Sequence, residues 1–448
     1  MRRRDCEPCT PTSVSALVEN AAAPSLADLA RASLKIGCLG FGGPAGQIAL
    51  MHRIFVEEHQ WIDEGHYLHA LNYCMLLPGP EAQQLATYVG WLLHGVRGGV
   101  LAGALFVLPG ALVVFALAWL YALHGQAPVV AALFLGVKAA VLAFIADALV
   151  RIGRRALKSR IDASIALAAL VALYLFGVPF PLVIVSAGVT GAMLIEREPA
   201  HEMAAMSPAV SMRQTTATAA LWGAAWLGPV AVIFVTAGPA HLLGQISLLF
   251  SKLAVVTFGG AYAVLAYLQQ QAVDVHGWLT AGQMIDGLGL AETTPGPLIL
   301  VNQFVGFLAG WQADGGGPGL AVACAVLASW CTFAPSFLWI FAGAPHAERL
   351  RRNRYAVGAL RAITAAVLGV ILSLAIWFGQ HVLFSASRAV CTPWNRVLDV
   401  PSLPSIDWIA ALIALGAAVG LIRYRLGAVT VVVASALAGL ASGSMFAD

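Results

Sequence analysis

Charged residues are scarce in this chain. Asp, Glu, Lys and Arg make up 10% of its 448 residues, against 60% hydrophobic, and mean hydropathy is +0.82. A water-soluble globule of this length has too little interior to hide such a fraction, so the bilayer must act as solvent. Disulfide scaffolding is excluded too. The seven cysteines, at 6, 9, 38, 74, 324, 331 and 391, are odd in number and lie mostly in apolar segments. Cys6-x-x-Cys9 has no second pair to complete a tetrahedral site, so neither a metal nor another cofactor is expected. There is no zinc-protease helix, phosphate loop or dinucleotide fingerprint, which argues against an ATP-driven pump or an enzyme of those kinds. The first 25 residues start basic but lack the apolar core of a secretory signal and read as a cytoplasmic tail. The net charge of +3 matters less than where the basic residues sit; the lipid bilayer is an expected partner, and no nucleic acid is expected.

What is present is a series of long apolar runs. Windows able to cross a membrane occur near 33–50, 67–95, 99–123, 128–150, 219–238, 250–268, 284–310, 318–343 and 355–378. The stretches 163–195 and 404–441 each read as two short helices, turning at "GVPFP" and "RYRLG". The fold class is an all-α integral membrane protein with about thirteen spans.

The chain also repeats itself. Adding 217 to positions 35–80 gives thirteen identities in 46 positions, where about four are expected by chance. They include Lys35/Lys252, Phe41-Gly42-Gly43/Phe258-Gly259-Gly260, His59/His276, Trp61/Trp278 and Pro78-Gly79-Pro80/Pro295-Gly296-Pro297. Further on the offset becomes 226, aligning Pro109 with Pro335 and Lys138 with Thr364. Residues 26–195 form one repeat and 250–448 the other, with 196–249 as a cytoplasmic loop and connecting helix after the 1–25 tail. The basic cluster at 151–160 follows its span, whereas that at 348–354 precedes the corresponding one. If both are cytoplasmic, equivalent spans cross in opposite directions.

Each repeat places Pro-Gly-Pro inside an apolar run, in "CMLLPGPEAQQL" and "LAETTPGPLILV". Proline removes a backbone donor and costs ~3 kcal/mol within a helix. Backbone groups freed in a membrane persist where they line a protein cavity. Two breaks in matching places, in inverted repeats, are the mark of a secondary transporter that holds its substrate where the halves meet. The alternative is a pair of simple kinks repaired by neighbouring Ser or Thr.

Candidate ligands follow from that geometry. The break residues themselves, Pro78, Gly79 and Pro80 with Pro295, Gly296 and Pro297, are expected at the substrate site. Gly42, Gly43, Gly259 and Gly260 let backbone N–H groups approach an anion, with Gln47 and Thr257 beside them. The alternative is close packing through Gly42-x-x-x-Gly46. Gln83, Gln84, Thr293, Thr294, Asn302 and Gln303 flank the breaks and carry donors suited to oxygen atoms. Lys138 interrupts an apolar span and so faces a cavity or a partner. Lys35 and Lys252 are further cationic candidates, although both lie where they can snorkel to the interface. Glu81 and Glu292, beside the breaks, suit proton coupling, because a carboxylate repels an anion when ionised and admits it when protonated; a lasting ion pair is the alternative. Asp147 is expected to pair with Arg151 one turn on. The stretch 52–69 is rich in His, Glu and Asp and reads as a polar, pH-sensitive extracytoplasmic loop, with His66-x-x-His69 its only metal-like spacing.

Taken together, "GFGGPAGQIALMHR", "HALNYCMLLPGPEAQQLATYVGWLLHG", "LFVLPG", "VTFGGAYAVLAYL" and "LAETTPGPLILVNQFVGFLAGW" resemble the bacterial chromate ion transporter family in its long form. The resemblance runs from about residue 26 to the C-terminus. It implies an inner-membrane protein with two homologous halves of opposite topology that exports chromate, a tetrahedral dianion. Sulfate or another divalent oxyanion is the rival cargo, and a non-transporting membrane subunit or sensor the rival of another class. A homodimer is compatible with the sequence, which does not report oligomeric state.

Overall fold

Short polar residues start many of the helices. In the computed structural model Ser25, Asp63, Ser159, Ser211 and Thr280 each accept a hydrogen bond from a backbone N–H of the first helical turn, which satisfies a donor that has no intrahelical partner. The structure describes residues 24–125, 127–194, 211–258, 261–346, 354–392 and 397–445. Gly259, Gly260, Cys6, Cys9, most of the expected tail and most of the 348–354 cluster lie outside them.

The first repeat comprises α1 (Leu26–Leu39), α2 (Gly43–His52), a π-helical turn (Arg53–Glu58), α3 (Glu64–Cys74), α4 (Glu81–His124), α5 (Pro128–Ala156), α6 (Arg160–Tyr174) and α7 (Phe180–Leu194). A connecting helix, α8 (Met212–Thr236), leads to the second. That repeat comprises α9 (Leu242–Val256), α10 (Ala261–Gln269), a π-helical turn (Gln270–Val275), α11 (Ala281–Thr293), a 3₁₀ turn (Leu298–Leu300), α12 (Val301–Gln312), α13 (Pro318–Gly343), α14 (Arg354–Leu383), α15 (Trp408–Ile422) and α16 (Ala428–Met445). One antiparallel hairpin departs from the all-helical expectation: β1 (Ser387–Cys391) pairs with β2 (Val397–Pro401).

The helices follow the sequence punctuation. α3 stops before the first Pro-Gly-Pro and α11 at the second, while α6/α7 and α15/α16 turn near the two expected loops. Windows 33–50 and 250–268 are each two helices rather than one, the first pair ending at Leu39 and resuming at Gly43, the second ending at Val256 and resuming at Ala261. α4 is bent at His94 and Gly95, whose backbone angles are not helical. It therefore corresponds to α12 and α13 together. α4, α5, α8, α13 and α14 are long and apolar enough to cross a membrane. The 15-residue helices α6, α7, α9 and α15 reach ~22 Å of a hydrocarbon core ~30 Å thick. The expected spans thus fall on five long helices and several short or broken ones.

The two repeats share one register. The π-helical turns begin and end 217 positions apart, and both are followed by the same stack. His59 lies on Trp61 with centroids 4.5 Å apart, and His276 on Trp278 at 4.4 Å.

The repeats do not sit side by side as separate bundles. α5 packs along α15 and α16 of the second repeat, and α14 packs along α6 and α7 of the first. Small residues permit this approach. A side chain at Gly136 would collide with the Ser435 carbonyl, and one at Gly191 with Gly358 and Ala362. Arg361 on α14 clasps Asp162 on α6 through two hydrogen bonds, of 3.2 and 2.9 Å. Each repeat thereby encloses part of the other.

Candidate functional site

The Pro-Gly-Pro breaks turn through glycines at positive φ, +115° at Gly79 and +93° at Gly296, where an L side chain is strained. Each turn exposes an N–H that no helix can use. Gly79 donates to the Thr257 carbonyl at 2.9 Å, and Gly296 donates to the Gly40 carbonyl at 3.1 Å. Gly40 and Thr257 are equivalent positions, each just before its Gly-Gly pair. The two bonds are therefore one bond made twice, and each repeat's break is tied to the residue two positions before the other repeat's Gly-Gly pair.

The breaks consequently meet. Gln47, Gly79, Pro80, Glu81, Thr257 and Pro297 line a shared cavity of about 20 Å³. The first proline of each break does not. Pro78 and Pro295 are half-buried and lie outside that lining. The carbonyl of Pro295 instead abuts Gly110 on α4, where an added Cβ would collide with it. Pro295 thus packs the break on α4, and beyond the turn at Gly296 it is Pro297 that reaches the cavity. Gln47 bridges the halves, its Nε2 donating to Gly40 O at 3.1 Å and to Gly296 O at 2.6 Å. Gly42 and Gly43 have φ of +84° and +71°, with nothing within 4 Å of where a Cβ would be. Close packing does not explain them; backbone conformation at the start of α2 does.

The amides and hydroxyls expected to offer donors are engaged differently. Gln84 Nε2 donates to Pro78 O at 2.7 Å, Gln303 Nε2 to Ala111 O at 3.0 Å and Asn302 Nδ2 to Thr332 Oγ1 at 3.0 Å. Gln83 reaches Phe333 O at a long 3.5 Å. Thr257, Thr293 and Thr294 donate back to carbonyls of their own helices. Proline breaks free carbonyls in a dry interior, and nearby N–H groups are drawn to them. What remains unpaired is acceptor oxygen, on Gln47, Gln83, Gln84, Asn302 and Gln303.

The charged candidates separate by place. Glu81 starts α4 at the cavity. Glu292 is buried one turn before the second break and accepts a hydrogen bond from the Tyr262 hydroxyl. Neither forms an ion pair among the described residues. Lys138 does: its ammonium lies 3.3 Å from Asp286 on α11, whose other oxygen accepts from Tyr121 at 2.7 Å. Asp286 and Tyr121 are functional candidates that sequence reasoning missed. An aspartate inside the apolar window 284–310 was the available signal, of the same kind that singled out Lys138. Lys35 and Lys252 are exposed and outside the cavity lining, with Lys35 3.6 Å from Glu58. Asp147 and Arg151 pair at 2.7 Å, as expected.

The acidic and histidine-rich stretch is a network of ion pairs. His52 bridges Glu57 at 3.0 Å and Glu64 at 2.6 Å. Glu64, then Glu57, holds the imidazole above its usual range. His66 pairs with Asp63, and no group of three metal-binding side chains occurs among the described residues. A larger cavity of about 290 Å³ lies between α6, α14, the second π-helical turn and the hairpin, lined in part by Tyr174, Asp274, Gln380 and Asp399. It contains none of the expected site residues.

Comparison with known proteins agrees with this architecture of two halves. A family model described as "Chromate transporter" matches residues 27–192 and 244–440. A "Chromate transport protein" of Pseudomonas aeruginosa is 34% identical over 386 residues, 82% of this chain and 87% of that protein. A "Probable chromate transport protein" of Synechococcus elongatus is 30% identical over 403 residues, covering 87% and 94%. One from Cupriavidus metallidurans, "Chromate transport protein", is 30% identical over 438 residues, 96% of each chain. No solved structure matches.

Proposed function

Because the chain belongs to the chromate transporter family, we propose that it exports chromate across the cytoplasmic membrane. The export works by alternating access around the two joined breaks and makes the cell resistant to chromate. The single observation that carries this reading is the crossed pair of bonds from Gly79 to Thr257 and from Gly296 to Gly40. Two fractured helices held against each other are what a midplane anion site requires.

In this reading residues 26–195 and 250–448 are inverted repeats, and the N-terminus and both basic clusters face the cytoplasm. The backbone N–H groups at Gly42 and Gly43, with their counterparts at Gly259 and Gly260, replace water around the oxyanion. The present cavity holds about one water, so the surrounding helices must part before a tetrahedral dianion enters. Glu81 lines that cavity and faces the anion's path; Glu292 stands behind the second break. Protonation of these carboxyls admits the anion, and ionisation expels it.

Export is the direction the membrane potential favours. A dianion leaving an inside-negative cell gains ~4.6 kcal/mol per 100 mV, a factor of roughly 2,000 in concentration. Proton exchange adds to that drive.

The test is chromate uptake into everted membrane vesicles, with and without the potential and with sulfate as competitor. Uptake that collapses with the potential and resists excess sulfate is the expected result. Glu81→Gln should flatten its pH dependence. Uptake equal to that of vesicles lacking the protein would make the chain a non-transporting subunit, and full inhibition by sulfate would make it a general oxyanion carrier.

A further inference from the structure

The two repeats share a register but not a packing. In the second repeat α11 lies against α5, and a side chain at Gly289 would collide with Val137. Ile285 and Glu292, on the same face, are 1% and 6% exposed. Their counterparts on α3, 217 positions earlier, are Leu68 and Met75, which are 42% and 45% exposed. Asn72, the counterpart of Gly289, is exposed as well. The neighbouring helices agree with this difference, since Ala45 and Ala49 on α2 are exposed where Tyr262 and Ala266 on α10 are half-buried.

Composition accounts for part of the contrast only: Asn72 carries a side chain where Gly289 has none and must stand further from its neighbour. Leu68 and Met75 are apolar enough to be buried, and the Asn72 amide is a poor group to present to lipid. Equivalent segments with unequal burial are one module packed in two ways. A carrier built from two such modules reaches its other state when they exchange conformations, by rocking of one part against the other.

Building on the alternating-access reading above, we infer that Lys138, Asp286 and Tyr121 are positioning residues that latch α11 to α5 in this state. In the alternate state α11 leaves α5, and α3 closes onto α14 with Asn72 beside Ile363, at a wider separation than Gly289 keeps from Val137. The second contact follows from the register: Gly289 maps to Asn72 by 217, and Val137 maps to Ile363 by 226. The ion pair does not recur there. Lys138 maps to Thr364 and Asp286 to His69, so the Lys–Asp attraction acts in one state only and biases the carrier toward it.

The test places cysteines at Asn72 and Ile363 in a background whose native cysteines are replaced, using membrane vesicles and a reducible bifunctional thiol reagent. The link should form within one chain, block chromate flux, and release it on reduction. Asp286→Asn should raise the linking rate several-fold and Tyr121→Phe less so. The exchanged pair Lys138→Asp with Asp286→Lys should bring the rate back toward the parent value, which loss of folding does not predict. The inference is overturned if vesicles that carry chromate never form the link, or if Asp286→Asn leaves its rate unchanged. It is also overturned if Asn72→Cys alone links two chains, which would assign that face of α3 to a second copy. Absence of chromate flux in the unsubstituted protein counts against alternating access instead, and so is distinguished from failure of the latch.

Discussion

One amide nitrogen, Nε2 of Gln47, satisfies two carbonyls left over by broken helices, one in each repeat. Replacing it with alanine orphans the Gly296 carbonyl in a dry interior, where an unmet acceptor costs ~1–3 kcal/mol, and leaves that of Gly40 with the Gly296 N–H alone. Gln47→Ala should therefore lower the thermal stability of the purified protein. Gln303→Ala, which releases only the Ala111 carbonyl, should lower it less; equal midpoints in detergent would count against the bridging role. Such partners were not legible beforehand. The glutamines are visible as polar interruptions in apolar runs, but the acceptor of Gln47 lies 249 positions away. The assignment of these side chains as free donors did not anticipate that carbonyls of the breaks would compete for their N–H groups. Lys138 was conspicuous for the same kind of reason, while its partner Asp286 depends on how α5 meets α11.

At the scale of the element, the breaks do what uninterrupted helices cannot. Changing Pro78-Gly79-Pro80 to three alanines restores good helix formers, so α3 should run on into α4 and the Gly79 N–H should leave Thr257. Vesicles bearing this variant are expected to contain the protein yet lose chromate uptake; retained uptake would remove the break from the mechanism. This level was largely readable in advance. Breaks, loops and the duplication are marked by Pro and Gly, whose backbone constraints act locally. The hairpin at 387–401 was missed, because its two five-residue strands are too short to show a clear period. Residues 33–50 read as one crossing window from hydropathy, whereas the chain divides there between Leu39 and Gly43.

At the scale of the whole molecule, the duplication was legible but the exchange of closing helices was not. Periodicity within a helix shows that one face is buried without identifying the neighbour that buries it. Small residues at 136, 191, 358 and 439 are consistent with close helices anywhere in the fold. The structure resolves that choice by packing α6 and α7 on α14, and α15 and α16 on α5. This arrangement bears on biosynthesis. When the ribosome has released α7, the surface it belongs on has not yet been translated. The early pair must wait in lipid, with Asp162 lacking Arg361, until α14 arrives. A gene cut in the 195–210 linker should thus yield two polypeptides that are each degraded when made alone. Made together, they should rescue one another as a stable heterodimer, each completing its partner's unfinished wall.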